Sequence, residues 1–513
     1  MKTPQIILID FGSQLTQLIA RRIREANVYS EIVPGKDKFI NKIASAKALI
    51  LSGGPDSVNS APILTQELSK LKIPILAICY GLQLVCKESG GEVYVAEQKE
   101  FGAATLEVVN NCLLTEDIWQ IGSKKQVWMS HNDKVTRIPP GFKVLAKTQN
   151  SPFAAIYNEE SKIYGLQFHP EVTHTTDGNK IINNFIFKIA GCQKDWKIPS
   201  LLTQKVEEIK SKAGDSKVIA AISGGVDSAV AATLAHKAIG KNLHCIFIDN
   251  GLLRAAEVSE VKNQLVDKLG LQVKFINANN KFLQSLANNP DPEQKRKIIG
   301  RCFIEAFEEE ASRIEDAKFL LQGTIYPDVI ESGSVFSEQS VTIKSHHNVG
   351  GLPEKMTLGL IEPLRCFFKD EVRMLGKTLG IPEEILNRHP FPGPGLAIRI
   401  IGPVTAEKVE ILQAIDQIYI DAIKNAGLYD QIWQAFAVLL PIQTVGVMGD
   451  RRSYEYTCAL RAVTSEDGMT ADYFQFSPEL LQEISNKIVN NIPRVNRVVY
   501  DITAKPPATI EWE

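Results

Sequence analysis

The run Val218-Ile219-Ala220-Ala221-Ile222-Ser223-Gly224-Gly225-Val226-Asp227-Ser228-Ala229-Val230-Ala231 constrains this chain more than any other stretch. An apolar run of β character reaches a Ser-Gly-Gly turn and passes straight into small helix formers. The pattern predicts a strand, a tight loop and a helix start. Gly224 and Gly225 have no side chains, so backbone can approach a ligand closely there. Loop N–H groups and the positive end of the helix then face one point, which suits a phosphate or pyrophosphate. No Gly-Lys-Ser/Thr follows, so this is not a Walker A loop. A purely structural Gly-Gly turn is the alternative. The acid and hydroxyl of Asp227 and Ser228 at the same junction weigh against it.

At 513 residues the chain has room for roughly two to four domains, each able to bury a core. Its formal net charge is -2, and no long basic or acidic run occurs. Bulk electrostatics therefore give no case for nucleic acid or a membrane surface as a partner. The eight cysteines are scattered with no C-x-x-C pair, which fits reduced thiols and a cytoplasmic setting. The short apolar run after the N-terminus is broken by Asp10 and does not read as a signal peptide. No apolar segment reaches membrane-spanning length.

The first region alternates strands and helices. Gln5 to Ile9, Ala48 to Leu51 and Ile73 to Ile78 read as strands, and Leu15 to Ala26 as a helix. This predicts an α/β domain with a mostly parallel sheet and sites at the carboxyl ends of its strands. Cys79 follows the third strand in Ile75-Leu76-Ala77-Ile78-Cys79-Tyr80-Gly81, where a helix is expected to begin. That is the geometry of a nucleophile elbow, with the helix N-terminus favouring thiolate. A buried, inert Cys is the plainer reading of the residue taken alone. Further on, His169 and Glu171 stand two apart in Gly165-Leu166-Gln167-Phe168-His169-Pro170-Glu171, so both side chains project to one side. A His oriented by a carboxylate serves a thiol as general base.

After a Gly/Lys/Asp/Trp/Pro stretch from Gly191 to Ser200 comes the loop region. Leu243 to Ile248 reads as the next strand, ending in Asp249, which is well placed for nucleoside contacts or serves only as a turn residue. Asp328 and Glu331 stand three apart and share a face of a helical turn, a pairing that points to magnesium, with a helix cap as the alternative for Asp328. Lys344 lies in a Gly/Ser-rich stretch that reads as a mobile lid over phosphates, beside the pair His346-His347. Arg388-His389-Pro390-Phe391-Pro392-Gly393-Pro394-Gly395-Leu396 reads as a rigid hinge. A helix from Thr405 to Asn425, strands near Val438 to Val447, Glu455 to Val463 and Val495 to Ile502, and a helix from Glu479 to Asn491 then indicate a small α+β domain. The ending Lys505-Pro506-Pro507-Ala508-Thr509-Ile510-Glu511-Trp512-Glu513 looks tied down.

These motifs carry a resemblance. Ser-Gly-Gly-Val-Asp-Ser resembles the pyrophosphate loop of ATP pyrophosphatases, which adenylate a carbonyl oxygen. Cys79, His169 and Glu171 resemble the triad of class I glutamine amidotransferases, with Ser52-Gly53-Gly54-Pro55 matching the loop whose N–H groups, Gly53 with Tyr80, would form the oxyanion hole. Met129-Ser130-His131-Asn132-Asp133 resembles another stretch of that family, although Asn132 stands where Gly is usual; we read Ser130 to Asp133 as a loop bordering the glutamine site. In this order, with the Pro/Gly hinge and the Lys505 to Glu513 ending, they resemble glutamine-hydrolysing GMP synthetases over nearly the whole chain. The resemblance implies two parallel-sheet α/β domains plus a small α+β domain: 1–193 amidotransferase, 200–388 ATP pyrophosphatase, 389–513 dimerisation and XMP site. It implies ATP and Mg2+, with XMP and glutamine as further substrates, and a homodimer. It assigns ATP to Ser223, Gly224, Gly225, Val226, Asp227, Ser228, Asp249 and Lys344, XMP to Arg296, Lys505 and Glu511, and metal to Asp328 and Glu331.

Rival readings differ in specific ways. An NAD synthetase would share the loop and typically carries a nitrilase-type glutaminase. A tRNA-thiolating enzyme would want a basic surface and paired cysteines. A regulatory nucleotide-binding protein would have no need of an intact triad.

Overall fold

The computed structural model describes residues 3–35, 43, 45–59, 71–331, 358–448, 450–465, 468 and 470–513. The chain forms two compact units, Met1–Lys197 and Ile198–Glu513.

In the first unit the sheet runs in the order β2-β1-β3-β4-β9-β8-β7-β5-β6. The strands are β1 (Ile6–Asp10), β2 (Ser30–Pro34), β3 (Ala48–Leu51), β4 (Ile75–Ile78), β5 (Glu92–Val108), β6 (Lys124–Arg137), β7 (Lys143–Lys147), β8 (Ala155–Asn158) and β9 (Ile163–Leu166). From β2 to β9 all neighbours are parallel. β3 and β4 are buried at every residue, as strands covered on both faces must be. Beyond β9 the sheet turns antiparallel, ending in the long β5–β6 hairpin. The sequence pattern does not mark this hairpin. Val127, Met129, His131, Asp133 and Val135 do alternate inward along β6, but two of the five are polar, so the period-two signal was broken. Ser130 to Asp133 accordingly lie in a strand and not in a loop.

The second unit holds two sheets. The first, all parallel, has the order β12-β11-β10-β13-β14, from β10 (Lys217–Ile222), β11 (Leu243–Asp249), β12 (Val273–Asn277), β13 (Ala317–Leu321) and β14 (Gly359–Ile361). The second joins β15 (Gln434–Met448), β16 (Arg451–Thr464), β17 (Asp472–Tyr473) and β18 (Val495–Tyr500), with β18 parallel to β16 and the other pairs antiparallel. Helices Ala406–Asn425 and Pro478–Asn491 belong with this sheet. Both begin on a hydroxyl cap: Thr405 accepts the N–H of Lys408, and Ser477 that of Leu480. One apolar cluster runs through Ile219, Ile246, Phe282, Ile299, Leu396, Leu412, Ile415, Leu439 and Ile488, so the core continues across residues 388–396 from one sheet to the other.

All eight cysteines are free thiols. Among the described residues no helix is long and apolar enough to cross a membrane.

Candidate functional site

In the first unit, β4 runs into Cys79 and the helix Tyr80–Glu88 starts at once. Cys79 adopts φ 51° and ψ -106°, a strained conformation for a residue with a side chain. Its own N–H is tied to the Leu166 carbonyl at 2.7 Å. Gly81 allows the turn: a Cβ there would lie 2.6 Å from the Leu51 carbonyl oxygen. The N–H of Tyr80, first in the helix, has no acceptor within it.

His169 Nδ1 lies 2.8 Å from Glu171 Oε1, and both residues are buried. Burial by itself would lower the His169 pKa. The Glu171 carboxylate and a hydrogen bond with Cys79 outweigh it and raise the value to about 10. The Thr175 hydroxyl donates to the His169 carbonyl at 2.6 Å and so steadies the segment. Gly53 faces the same ring, since a Cβ on it would stand 3.4 Å from His169 Cε1. The structure thus brings Cys79, His169, Glu171, Gly53 and Tyr80 together.

Two amides had not been singled out. Gln167 Nε2 points at Cys79 Sγ from 3.7 Å, and Gln83 Nε2 reaches Gln167 Oε1 at 3.3 Å and the Asp133 carbonyl at 2.8 Å. Ser130 presents its carbonyl 3.5 Å from Cys79 Sγ. His131, directly across from Glu100 in the hairpin, lies 3.3 Å from that carboxylate, which also accepts from Thr148 and Ser151. Gln167 sits inside a motif already noted, but its direction is set by the fold of β9 onto β4.

In the second unit, β10 ends at Ile222 and the helix Val226–Ile239 begins four residues on, with Gly225 as its N-cap. Gly224 has φ +75°, open to glycine and strained for other residues. The N–H groups of Val226, Asp227 and Ser228 have no acceptor within the helix. Ser223 and Ser228 hydroxyls stand 3.3 Å apart across the loop. Asp227 Oδ2 accepts from Lys369 Nζ at 2.5 Å, a contact across 142 residues that sequence spacing could not reveal. Asp249 ends β11 beside β10, where its Oδ1 accepts the Gly251 N–H at 2.9 Å. This is the turn geometry. Asp328 Oδ2 accepts the Ile325 N–H at 2.9 Å, capping the helix Tyr326–Glu331. The Glu331 side chain and all of Lys344, His346 and His347 lie outside the described residues. Among the described residues no group of three His, Cys, Asp or Glu side chains is placed to hold a metal.

The C-terminal tail is held by buried cations. Arg399, fully buried, donates to Glu511 through Nη2 at 2.8 Å and Nε at 3.1 Å, and Gln434 donates to the same carboxylate at 2.7 Å. Lys295, also fully buried, pairs with the Glu513 side chain at 2.5 Å, while Arg296 Nη2 donates to the Glu513 carbonyl at 2.6 Å. Arg461 holds the carbonyls of Thr509 and Ile510. Arg296 and Glu511 thus meet one tail, whereas Lys505 bonds the Gly468 carbonyl at 2.8 Å. Arg399 and Gln434 were not anticipated, because neither sits in a recognisable motif.

Known families divide the chain accordingly. Glutamine amidotransferase class-I matches residues 7–189, NAD synthase residues 197–302 and the GMP synthase C terminal domain residues 421–512. The chain is similar to the glutamine-hydrolysing GMP synthase of Ehrlichia chaffeensis, 56% identical with 99% of this chain and 100% of the relative covered. That of Ehrlichia canis is 57% identical with the same coverage. That of Allorhizobium ampelinum is 55% identical, with 99% of this chain and 98% of the relative covered. On full-length similarity of this degree, the chain belongs to the glutamine-hydrolysing GMP synthase family.

Proposed function

We propose that this chain makes GMP from XMP, ATP and glutamine, with Cys79 as nucleophile and the loop at residues 223–228 as the phosphate site. The observation carrying the reading is the strained Cys79 elbow facing a buried His169–Glu171 pair in a chain that also holds a glycine loop at a strand–helix junction.

Cys79 attacks the side-chain amide of glutamine. His169 carries the proton to the leaving ammonia, and Glu171 holds the imidazole in place. The N–H groups of Gly53 and Tyr80 stabilise the oxyanion, and Gln167 donates towards the sulfur. Water then releases glutamate from the thioester. In the second unit, N–H groups of residues 224–228 and the hydroxyls of Ser223 and Ser228 receive the ATP phosphates. The xanthine O2 attacks the α-phosphorus in line and pyrophosphate leaves. Ammonia then attacks C2 and AMP departs. We assign Asp249 to the nucleoside and Lys344 to the phosphates.

A magnesium ion bound with ATP would neutralise phosphate charge. Asp328, on the helical turn, would be one carboxylate to hold such an ion, its other ligands being phosphates and water, and Glu331 remains assigned to the metal by the sequence pattern alone. Arg296 and Lys505 suit the XMP phosphate by charge, and Glu511 its base or ribose. We assign 1–193 to the amidotransferase, 200–388 to the ATP pyrophosphatase and 389–513 to the XMP site and dimerisation. A homodimer is supported by the exposed apolar side chains of Val445, Val447 and Tyr454 on the β15–β16 hairpin. Free thiols at all eight cysteines fit a cytoplasmic location.

The test uses XMP, ATP, magnesium and either glutamine or ammonium. Wild type is expected to form GMP, AMP and pyrophosphate in equal amounts from both nitrogen sources. Cys79→Ala should fail with glutamine and keep its activity with ammonium. Glutamine use by that variant would overturn the role of Cys79, and absence of XMP amination by wild type would overturn the whole reading.

A further inference from the structure

The loop of residues 223–228 is held from behind by an arginine that lies 160 or more residues away in sequence. Arg388 Nη1 donates to the Gly224 carbonyl at 3.1 Å across 164 residues, and Nη2 donates to Glu257 Oε1 at 2.5 Å. The two side chains are 14% and 2% exposed. Glu257 Oε2 in turn accepts the backbone N–H of Arg254 at 3.1 Å. The Arg254 side chain pairs with buried Asp416 at 3.1 Å and donates to the Ala435 carbonyl at 3.1 Å. Asp416 Oδ1 accepts the Ala437 N–H at 3.3 Å. A line of alternating charges therefore leads from the loop peptide to β15.

The peptide joining Gly224 and Gly225 is planar and trans, so its C=O and N–H point in opposite directions. Fixing the Gly224 carbonyl on Arg388 turns the Gly225 N–H the other way. There it meets Ser223 Oγ at 3.3 Å, on the side where the helix N-terminus opens. Gly224, at φ +75°, has little intrinsic preference for this orientation over others. An unrestrained Gly-Gly peptide would flip. Removing Arg388 would also leave Glu257 buried without its cation.

We propose that Arg388, held by Glu257, is a positioning residue for adenylation: it locks the Gly224–Gly225 peptide so that the loop presents its N–H groups to the phosphates. The proposal rests on reading this loop as the ATP site. The hinge motif then has a task beyond bending the chain, because it carries the locking side chain.

The experiment uses the full chain with ammonium as nitrogen source, so that the glutaminase does not limit the rate. R388Q, R388K, E257Q and the double variant R388Q/E257Q are compared with wild type. R388Q should raise the KM for ATP and the inhibition constant of pyrophosphate together by about 30-fold, with the KM for XMP within about threefold. R388K, which keeps the charge but replaces the two Nη donors with one ammonium, should recover only part of the loss, leaving the same constants about three- to tenfold above wild type. E257Q should shift the same two constants in the same direction, and the double variant should be no worse than R388Q. A folded R388Q with unmoved ATP and pyrophosphate constants overturns the proposal, as does a lower melting temperature with only a uniform fall in kcat. Additive effects in the double variant overturn it too. If R388Q does not fold, R388K and E257Q decide on the same readout, and a shift under about threefold in both overturns it. Wild type that forms no AMP at all overturns the ATP reading of the loop itself.

Discussion

His169 Nδ1 and Glu171 Oε1 stand 2.8 Å apart, with side chains only 4% and 0% exposed. Their pairing holds the imidazolium against burial, and His169 titrates near 10 in place of the ordinary 6.5. The raised value fixes the sign. The pair contributes its full stability below pH 6.5 and loses it as pH rises towards about 10. Glu171→Gln removes the charge. The alkaline limb of glutamine hydrolysis should then move towards neutrality by more than about one pH unit, and the rate should fall about 100-fold. A pH–rate profile with an unmoved alkaline limb would show that Glu171 does not set it.

Lys369 reaches Asp227 from a helix that starts at Lys369 itself. Its side chain is 42% exposed, so the ion pair contributes at most about 1 kcal/mol to stability. Lys369→Ala should therefore leave the melting temperature nearly unchanged. It should cut ammonium-driven AMP formation about 10- to 100-fold, because the loop loses the cation paired with Asp227. Equal losses in stability and activity would argue against a role at the phosphates.

Glu511 neutralises Arg399, which has no exposure at all. Glu511→Ala leaves that cation buried and unpaired, at a cost of about 3–5 kcal/mol. Urea unfolding should show the loss in the second unit, and the KM for XMP should rise. Replacing both residues by apolar side chains should restore much of the stability without restoring XMP binding.

Val445 and Tyr454 face each other across the β15–β16 hairpin, and Val447 is 74% exposed. If the proposed homodimer forms through this face, Val447→Glu shifts it to monomer in light scattering behind size exclusion. An unchanged dimer would place the interface elsewhere.

Much of the site was legible because its residues lie close in sequence. The elbow needs only a strand, Cys79 and a small residue two positions later. The triad acid and base are two residues apart. The phosphate loop is six consecutive residues at a strand–helix junction. The parallel strands were legible from unbroken apolar runs. The β5–β6 hairpin was not, because His131 and Asp133 occupy inward positions where the alternation calls for apolar residues, and their side chains meet partners distant in sequence, Glu100 for His131 and Ser57 for Asp133.

The sequence by itself determined the strand–loop–helix at residues 217–239, the Cys79 turn and the α/β character of both units, since each depends on local periodicity, glycine and neighbouring side chains. Only the tertiary structure decided which distant groups complete them. Gln167 meets Cys79 because β9 lies beside β4; Lys369 meets Asp227 across 142 residues; Arg388 meets Gly224 across 164; Arg399 meets Glu511 across 112. Each of these is a polar or charged contact in a partly or fully buried place. Such groups must find partners wherever the fold brings them, and chain spacing carries no record of that encounter.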